Sequence, residues 1–96
     1  MYLTKKMPTI SQKKKDKISE QILHYLFTIS PESKFTSEIA EEIARDEEFT
    51  KTLLIDLLSK KLISMITKNS NGINYIRRQR WALSKKAYEI YKNHTN

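Results

Sequence analysis

Two amphipathic helical patterns follow each other closely between residues 37 and 63. The first has an apolar face with small side chains, formed by Ile39, Ala40, Ile43 and Ala44. The second has a longer apolar face, formed by Phe49, Leu53, Leu54, Leu57 and Leu58. Only a short polar run separates the two patterns. We therefore expect a pair of packed helices, the second ending near Lys60.

A strand, a tight turn and a return strand are predicted after these helices. Residues 62–67 are rich in β-branched side chains, and Gly72 is the only glycine of the chain. Because glycine adopts the positive φ of a hairpin turn, the return strand is expected over residues 73–83. Ser84 is then expected to cap a last helix that runs to about Asn93.

Another helix is predicted before the pair. Ile18, Ile22, Tyr25, Leu26 and Ile29 recur at helical spacing, which predicts a helix over about residues 15–29 that Pro31 ends. A short strand at Lys34-Phe35-Thr36 is expected next, with Thr36 or Ser37 capping the first helix of the pair. The domain is expected to span residues 16–93, and residues 1–15 are expected to form a basic arm.

Leu23 and Phe27 project from the side of the first helix opposite its core stripe. A second apolar stripe on a short helix indicates a second contact. We interpret it as a homodimer interface, in which Tyr88 and Tyr91 of a partner subunit cover Leu23 and Phe27. The alternative is that a loop or the amino-terminal arm, through its Leu3, Met7 and Ile10, folds over the same side chains.

The net charge of +7 is unevenly distributed along the chain. Residues 1–31 carry +4, residues 32–48 carry −5, and residues 49–96 carry +8. Basic ends can present a cationic surface to phosphate, although lysine also keeps small proteins soluble. Cys is absent, and no apolar run reaches the length of a membrane span. We therefore expect a cytoplasmic protein. Its richness in Ile and Lys, with a single Gly, suits a prokaryotic source or a virus with a prokaryotic host.

The sequence contains little that indicates a catalytic or metal site. His24 and His94 lie far apart, and no glycine-rich phosphate loop or Ser-His-Asp arrangement is present. The carboxylates of residues 41–48 are interpreted as solvated helix charges, because no opposing environments would separate their pKa values. We therefore expect no enzyme activity, no cofactor, no bound metal and no membrane attachment.

From about Asp16 to Tyr91 the chain resembles the winged helix-turn-helix superfamily, especially the small MarR-like and PadR-like transcriptional regulators. Three stretches carry the resemblance: Ser-Glu-Ile-Ala-Glu-Glu-Ile at 37–43, Leu-Leu to Lys-Lys-Leu-Ile over 53–63, and Arg-Trp-Ala-Leu-Ser-Lys-Lys at 80–86. Lys61 and Ala87 stand where the family often has Gly. The resemblance implies a mainly α fold with a small β-wing, and sequence-specific binding of double-stranded DNA by a homodimeric regulator.

The resemblance also implies which residues would contact DNA. In the recognition helix these are Thr50, Lys51, Thr52 and Ile55. In the wing and at the start of the preceding helix they are Ser37, Lys68, Asn71, Arg77, Arg78 and Arg80, and in the basic arm Lys13, Lys14 and Lys15. For the wing arginines, the alternative is a charged edge strand that resists pairing with other strands.

The acids at the start of the recognition helix leave the function open to other interpretations. Asp46, Glu47 and Glu48 would repel phosphate, or they simply complement the helix dipole. A winged-helix module that binds proteins is therefore an alternative, which Ile55 would also suit. A nonspecific architectural DNA-binding protein is another, favoured by the lysine-rich arm.

Overall fold

Four helices and three short strands form the part of the chain that the computed structural model describes, residues 11–66 and 79–94. In chain order the elements are α1 Gln12–Ile29, β1 Lys34–Phe35, α2 Thr36–Glu42, α3 Glu47–Ser59, β2 Ile63–Ile66, β3 Arg80–Leu83 and α4 Lys85–His94. This order confirms the predicted fold class, mainly α with a small β-sheet. The predicted turn around Gly72 lies outside the described residues.

The three strands form one antiparallel sheet in the order β1-β3-β2. Trp81 lies opposite Lys34 on one side and Met65 on the other. Because β3 is the central strand, Trp81, Ala82 and Leu83 are all buried. Ala82 is buried although Trp81 and Leu83, its neighbours in the strand, point to the opposite face, which is consistent with the central position of β3.

The core lies between the sheet and the first three helices. It is centred on side chains with no measurable exposure, namely Ile22 and Leu26 of α1, Ile39 of α2, Leu54 of α3 and Trp81 of β3. The indole Nε1 of Trp81 donates a hydrogen bond of 2.8 Å to the Oγ1 of Thr36. This buried bond satisfies both polar groups and ties the start of α2 to the central strand.

The starts of two helices differ from the prediction. The predicted capping role of Thr36 or Ser37 is wrong, because α2 begins at Thr36 and the Thr36 hydroxyl is used by Trp81. Helix α1 begins at Gln12, where the Ser11 Oγ accepts a hydrogen bond from the Lys14 backbone N–H. Lys13, Lys14 and Lys15 therefore lie in the first turn of α1 and not in an arm before it.

The last helix begins as predicted. The Ser84 Oγ accepts a hydrogen bond of 3.1 Å from the Ala87 N–H, and the same hydroxyl donates to the carbonyl oxygen of Lys61. Ser84 thus caps α4 and also attaches its start to the turn that follows α3. None of the helices in the described ranges is both long and apolar enough to cross a bilayer.

Helices α2 and α3 end in the same way. Ala44 and Lys61 have φ values of 57° and 63°, and each is the first residue past its helix cap. The N–H groups of Arg45 and Leu62 bond back to the carbonyls of Ala40 and Leu57, which is the pattern of a Schellman motif. Lys61 therefore occupies a left-handed position that glycine usually takes. Ala44 was predicted to be buried, but this turn leaves it exposed.

Candidate nucleic-acid interface

Helix α3 is held in the core by one face and exposes the other. Leu53, Leu54 and Leu57 are buried. The exposed face carries Glu48, Lys51, Thr52, Ile55, Asp56 and Ser59. A helix fixed by a continuous apolar face presents its outer side chains at a constant orientation, which is what a groove-reading element needs.

Thr50 does not belong to the exposed face. Its side chain has no measurable exposure, and its Oγ1 donates a hydrogen bond of 2.8 Å to the carbonyl oxygen of Asp46. The prediction that Thr50 contacts a base is therefore wrong. Positions 50, 53, 54 and 57 follow the helical core spacing, so the sequence contained the signal that Thr50 points inward.

Lys51, Thr52 and Ile55 form one outward patch, called here the α3 patch. All three are exposed, and Ile55 has half of its surface, 50%, in contact with solvent. Residues three and four positions apart on a helix are neighbours, so Ile55 adjoins both Lys51 and Thr52. The Thr52 Oγ1 donates to the carbonyl oxygen of Phe49 at 2.6 Å, which leaves its lone pairs available to accept.

The acids at the start of α3 have different roles. Asp46 caps the helix, because its Oδ2 accepts a hydrogen bond of 3.0 Å from the Phe49 N–H. Glu47 and Glu48 are exposed in the first turn, where carboxylates complement the helix dipole. Asp46 is thus engaged with the helix itself, whereas Glu48 shares the outward face with the α3 patch.

The start of α2 is less suited to phosphate than predicted. Ser37 is exposed there, as a DNA contact requires. However, the Glu38 Oε1 accepts a hydrogen bond of 2.8 Å from the Phe35 N–H, so a carboxylate lies at this helix start. A phosphate at the same place would be repelled by it.

Arg80 lies at the base of the connection between β2 and β3. It pairs with Ile66 of β2 on one side and with Phe35 of β1 on the other. Arg80 is half-buried, and its Cζ lies 5.7 Å from the centre of the Phe35 ring. Lys13 and Lys14 are exposed at the far amino-terminal end of α1, and Lys15 is half-buried.

The stripe formed by Leu23 and Phe27 is covered within the chain. Leu23 is only 9% exposed, and the Phe27 ring centre lies 5.3 Å from that of Tyr88 and 5.5 Å from that of Tyr91. The interpretation that a partner's tyrosines cover these side chains is therefore wrong for this contact, because α4 of the same chain packs there. Burial, and secondarily the Glu20 carboxylate, raise the pKa of Tyr91.

An open apolar groove remains between α1 and α4. It has a volume of about 290 Å³ and is lined by Glu20, Leu23, Leu62, Ala87, Ile90 and Tyr91. Ile90 is 47% exposed at this groove, which makes it a large apolar side chain in contact with solvent. This α1–α4 groove lies next to the predicted dimer residues, and residues 11–66 and 79–94 leave it open.

No protein-family model matches the sequence, and no curated protein is matched by it. The fold does match solved structures. MepR of S. aureus in complex with DNA matches with a TM-score of 0.70 over 86% of this chain and 65% of that one, at 21% identity. ZitR of Lactococcus lactis, a zinc-responsive MarR family member, matches with a TM-score of 0.60 over 94% of this chain and 54% of that one, at 21% identity.

The chain is a winged helix. Its α2 and α3 are the helix-turn-helix, and β2 and β3 are the strands of the wing. A further match is a structure of MepR, described as a transcription regulator of the Staphylococcus aureus multidrug efflux pump MepA. It has a TM-score of 0.65 at 21% identity, over 86% of this chain and 64% of that one. This winged helix spans between 54% and 65% of the length of the three solved chains.

Most of the wing lies outside the described residues. Lys68, Asn71, Arg77 and Arg78 lie in the interval 67–78 between the two wing strands, outside the described residues. Arg80 is the predicted wing residue whose position is described. Across residues 11–66 and 79–94, no group of three or more His, Cys, Asp or Glu side chains could hold a metal ion.

Proposed function

We propose that this winged helix binds double-stranded DNA sequence-specifically, as a homodimeric transcriptional regulator. The observation that carries the proposal is the α3 patch, a lysine, a threonine and an isoleucine exposed together on a helix fixed in the core. The match to MepR in complex with DNA supports it, because a protein of the same fold is there bound to DNA.

The α3 patch has the chemistry to read base edges in the major groove. Lys51 can donate to guanine O6 and N7, Thr52 can accept through the lone pairs of its hydroxyl, and Ile55 can contact a thymine methyl group. Glu48, on the same face, can accept from a cytosine amino group. Arg77, Arg78 and Arg80, with Lys68 and Asn71, would contact the backbone or minor groove from the wing.

Replacement of Lys51 or Thr52 by Ala is the test of base reading by the α3 patch. We expect each variant to lose preference at defined base pairs, by about 1–3 kcal/mol where the contact is direct. The measurement is selection of bound sequences from random duplexes, followed by affinity for the consensus and its single-base variants. A palindromic consensus would also support a dimer, since half-sites mirror the protein's two-fold symmetry.

Lys17→Ala is the matched control, because Lys17 is an exposed lysine on α1 and its loss changes the net charge equally. It should leave the base preference unchanged. If both Lys51→Ala and Thr52→Ala keep the wild-type consensus and its discrimination, sequence is not read by the α3 patch.

A protein-interaction module is the second candidate function. The observation that favours it is a set of exposed carboxylates on the helix-turn-helix, namely Glu38, Glu41, Glu42, Glu47 and Glu48. Such a surface repels phosphate and would suit a basic partner. The two functions differ in the salt dependence of DNA binding: a regulator retains affinity for one sequence in excess random DNA, and an interaction module scarcely binds at physiological salt.

The homodimer is proposed to form through the α1–α4 groove. Since Tyr88 and Tyr91 already pack on Phe27 within the chain, a partner would have to cover Leu62 and Ile90 instead. A dimer would place two α3 helices about one DNA turn apart, roughly 34 Å, and so double the length of sequence that is read.

Ile90→Glu is expected to convert the protein into a folded monomer with weakened DNA binding. A carboxylate at a half-exposed position costs the monomer little, but it would be buried unpaired in the dimer. The measurement is sedimentation of wild type and variant at micromolar concentration.

Ile55→Glu is the control for this experiment, since Ile55 is an equally exposed isoleucine that lies on α3. It should leave the dimer intact while impairing DNA binding. A monomeric wild type, or an Ile90→Glu variant that still sediments as a dimer, would remove the α1–α4 groove as the interface.

A further inference from the structure

The contact between Arg80 and Phe35 joins the wing to the helix-turn-helix. The two residues are direct partners across the antiparallel strands β3 and β1, so their side chains leave the sheet on the same face. The guanidinium carbon lies 5.7 Å from the centre of the aromatic ring, which is within the range of a cation–π contact. Phe35 is also the residue immediately before α2.

The strand residues adjacent to Phe35 and Arg80 hold this pair in place. Lys34 lies opposite Trp81, which is fully buried and donates its indole N–H to Thr36. The Phe35 N–H in turn donates to the Glu38 carboxylate at the start of α2. Phe35 is therefore held in place by its backbone and by its neighbours. Its ring is a fixed support for the Arg80 side chain, which is long and otherwise flexible.

We propose that Phe35 is a positioning residue that holds the Arg80 guanidinium at the junction of the wing and α2, where Arg80 binds a phosphate of the DNA backbone. This inference rests on the proposed DNA-binding function. It assigns a phosphate contact to the root of the wing and a functional role to an aromatic residue outside the recognition helix.

The chemistry favours a guanidinium over an ammonium at this place. Arginine stacks on aromatic faces and presents its donors in a planar fork that matches phosphate. The cation–π contact is made with the face of the ring and does not itself use an N–H donor of the guanidinium. Because the side chain is already ordered before DNA arrives, binding a phosphate costs less conformational entropy than it would for an unsupported lysine.

The position also complements the acids nearby. Glu38 lies at the start of α2 and would repel a phosphate that approached that helix alone. A guanidinium over Phe35 places a positive charge close to the start of α2, because Phe35 immediately precedes that helix. This charge would offset part of the repulsion between Glu38 and a phosphate.

The test is a salt titration of binding to a selected duplex. Arg80→Ala is expected to lower the salt slope by about one unit and to weaken binding roughly tenfold, since one charge-assisted phosphate contact is lost. Phe35→Leu, which keeps the charge and an apolar side chain, is expected to lower the slope in the same direction and to weaken binding about two- to fivefold.

Further variants separate positioning from simple packing. Phe35→Tyr keeps the ring and should restore wild-type slope and affinity. In an Arg80→Ala background, Phe35→Leu should cause no further loss of binding. Thermal unfolding of each variant is also measured by circular dichroism. A merely structural role for Phe35 would lower the Tm and leave the salt slope of DNA binding unchanged. Phe35→Met replaces Phe35→Leu if the latter does not fold.

The outcomes are distinguishable. If the wild type does not bind DNA, the proposed function fails and the inference with it. If the wild type binds with a normal salt slope and Arg80→Ala leaves that slope unchanged, only the inference is overturned. If Arg80→Ala lowers the slope but Phe35→Leu does not, Phe35 has no positioning role and the inference is likewise overturned.

Discussion

Trp81→Ala is expected to destabilise the folded state strongly. Trp81 is a fully buried side chain on the central strand, where it contacts the core of a domain of only 96 residues. Removing a buried aromatic side chain typically costs about 3–5 kcal/mol, and small domains are stable by about 5–15 kcal/mol in total. The lost indole also leaves the buried Thr36 hydroxyl without its partner, which adds a further cost.

Circular dichroism is the measurement for Trp81→Ala, because the variant lacks the only tryptophan. For a domain of this size, 1 kcal/mol corresponds to about 4–8 °C in Tm, so a fall of at least about 12 °C is expected. Ile55→Ala is the matched control: it also removes a large apolar side chain, but one that is half-exposed, and should change Tm by only a few degrees. A Trp81→Ala variant that melts with the wild type would contradict the assigned core.

Trp81→Phe separates packing from hydrogen bonding in the same core. It keeps an aromatic ring but removes the donor to Thr36. The combined variant Trp81→Phe with Thr36→Val removes both polar partners and should be more stable than Trp81→Phe alone, since no buried hydroxyl is then unsatisfied. The reverse order of stability would show that the Thr36 hydroxyl is not left unsatisfied in Trp81→Phe.

Leu23→Glu combined with Phe27→Glu is expected to destabilise the fold strongly and not to release a folded monomer. Leu23 is buried in the core, and Phe27 packs on Tyr88 and Tyr91 of α4. Two carboxylates placed there would be removed from water without partners, at a cost of several kcal/mol. We expect loss of α4 packing and a broad or absent unfolding transition.

Ile90→Glu is the control for this second prediction. Both variants introduce carboxylates at apolar positions beside the α1–α4 groove, but Ile90 is half-exposed and Leu23 is not. Ile90→Glu should unfold cooperatively near the wild-type temperature. The contact between α1 and α4 would be refuted if the double variant at 23 and 27 also kept a native transition at low protein concentration.

Local patterns in the sequence were sufficient for the elements of the fold. The apolar periodicities of α1, α2 and α3, and the hydroxyl of Ser84 before α4, operate over a few residues, so they are visible without a structure. The outward face of α3 follows from the same periodicity, which places Lys51 and Ile55 opposite Leu53 and Leu54. That periodicity also marks Thr50 as buried, although residue type had suggested a polar contact.

Tertiary packing decided which faces of those elements are covered. Helix α1 is buried on two sides, because the sheet and α3 pack on one side and α4 packs on the other. No local sequence pattern indicates where a terminal helix such as α4 will pack. The Trp81 bond to Thr36 and the Arg80 contact with Phe35 each join residues about 45 apart in sequence. The sequence by itself determined the helices, the strands and their order, because these depend on short-range spacing. The burial of Leu23 and Phe27 and the support beneath Arg80 depend on long-range contacts, which only the folded chain specifies.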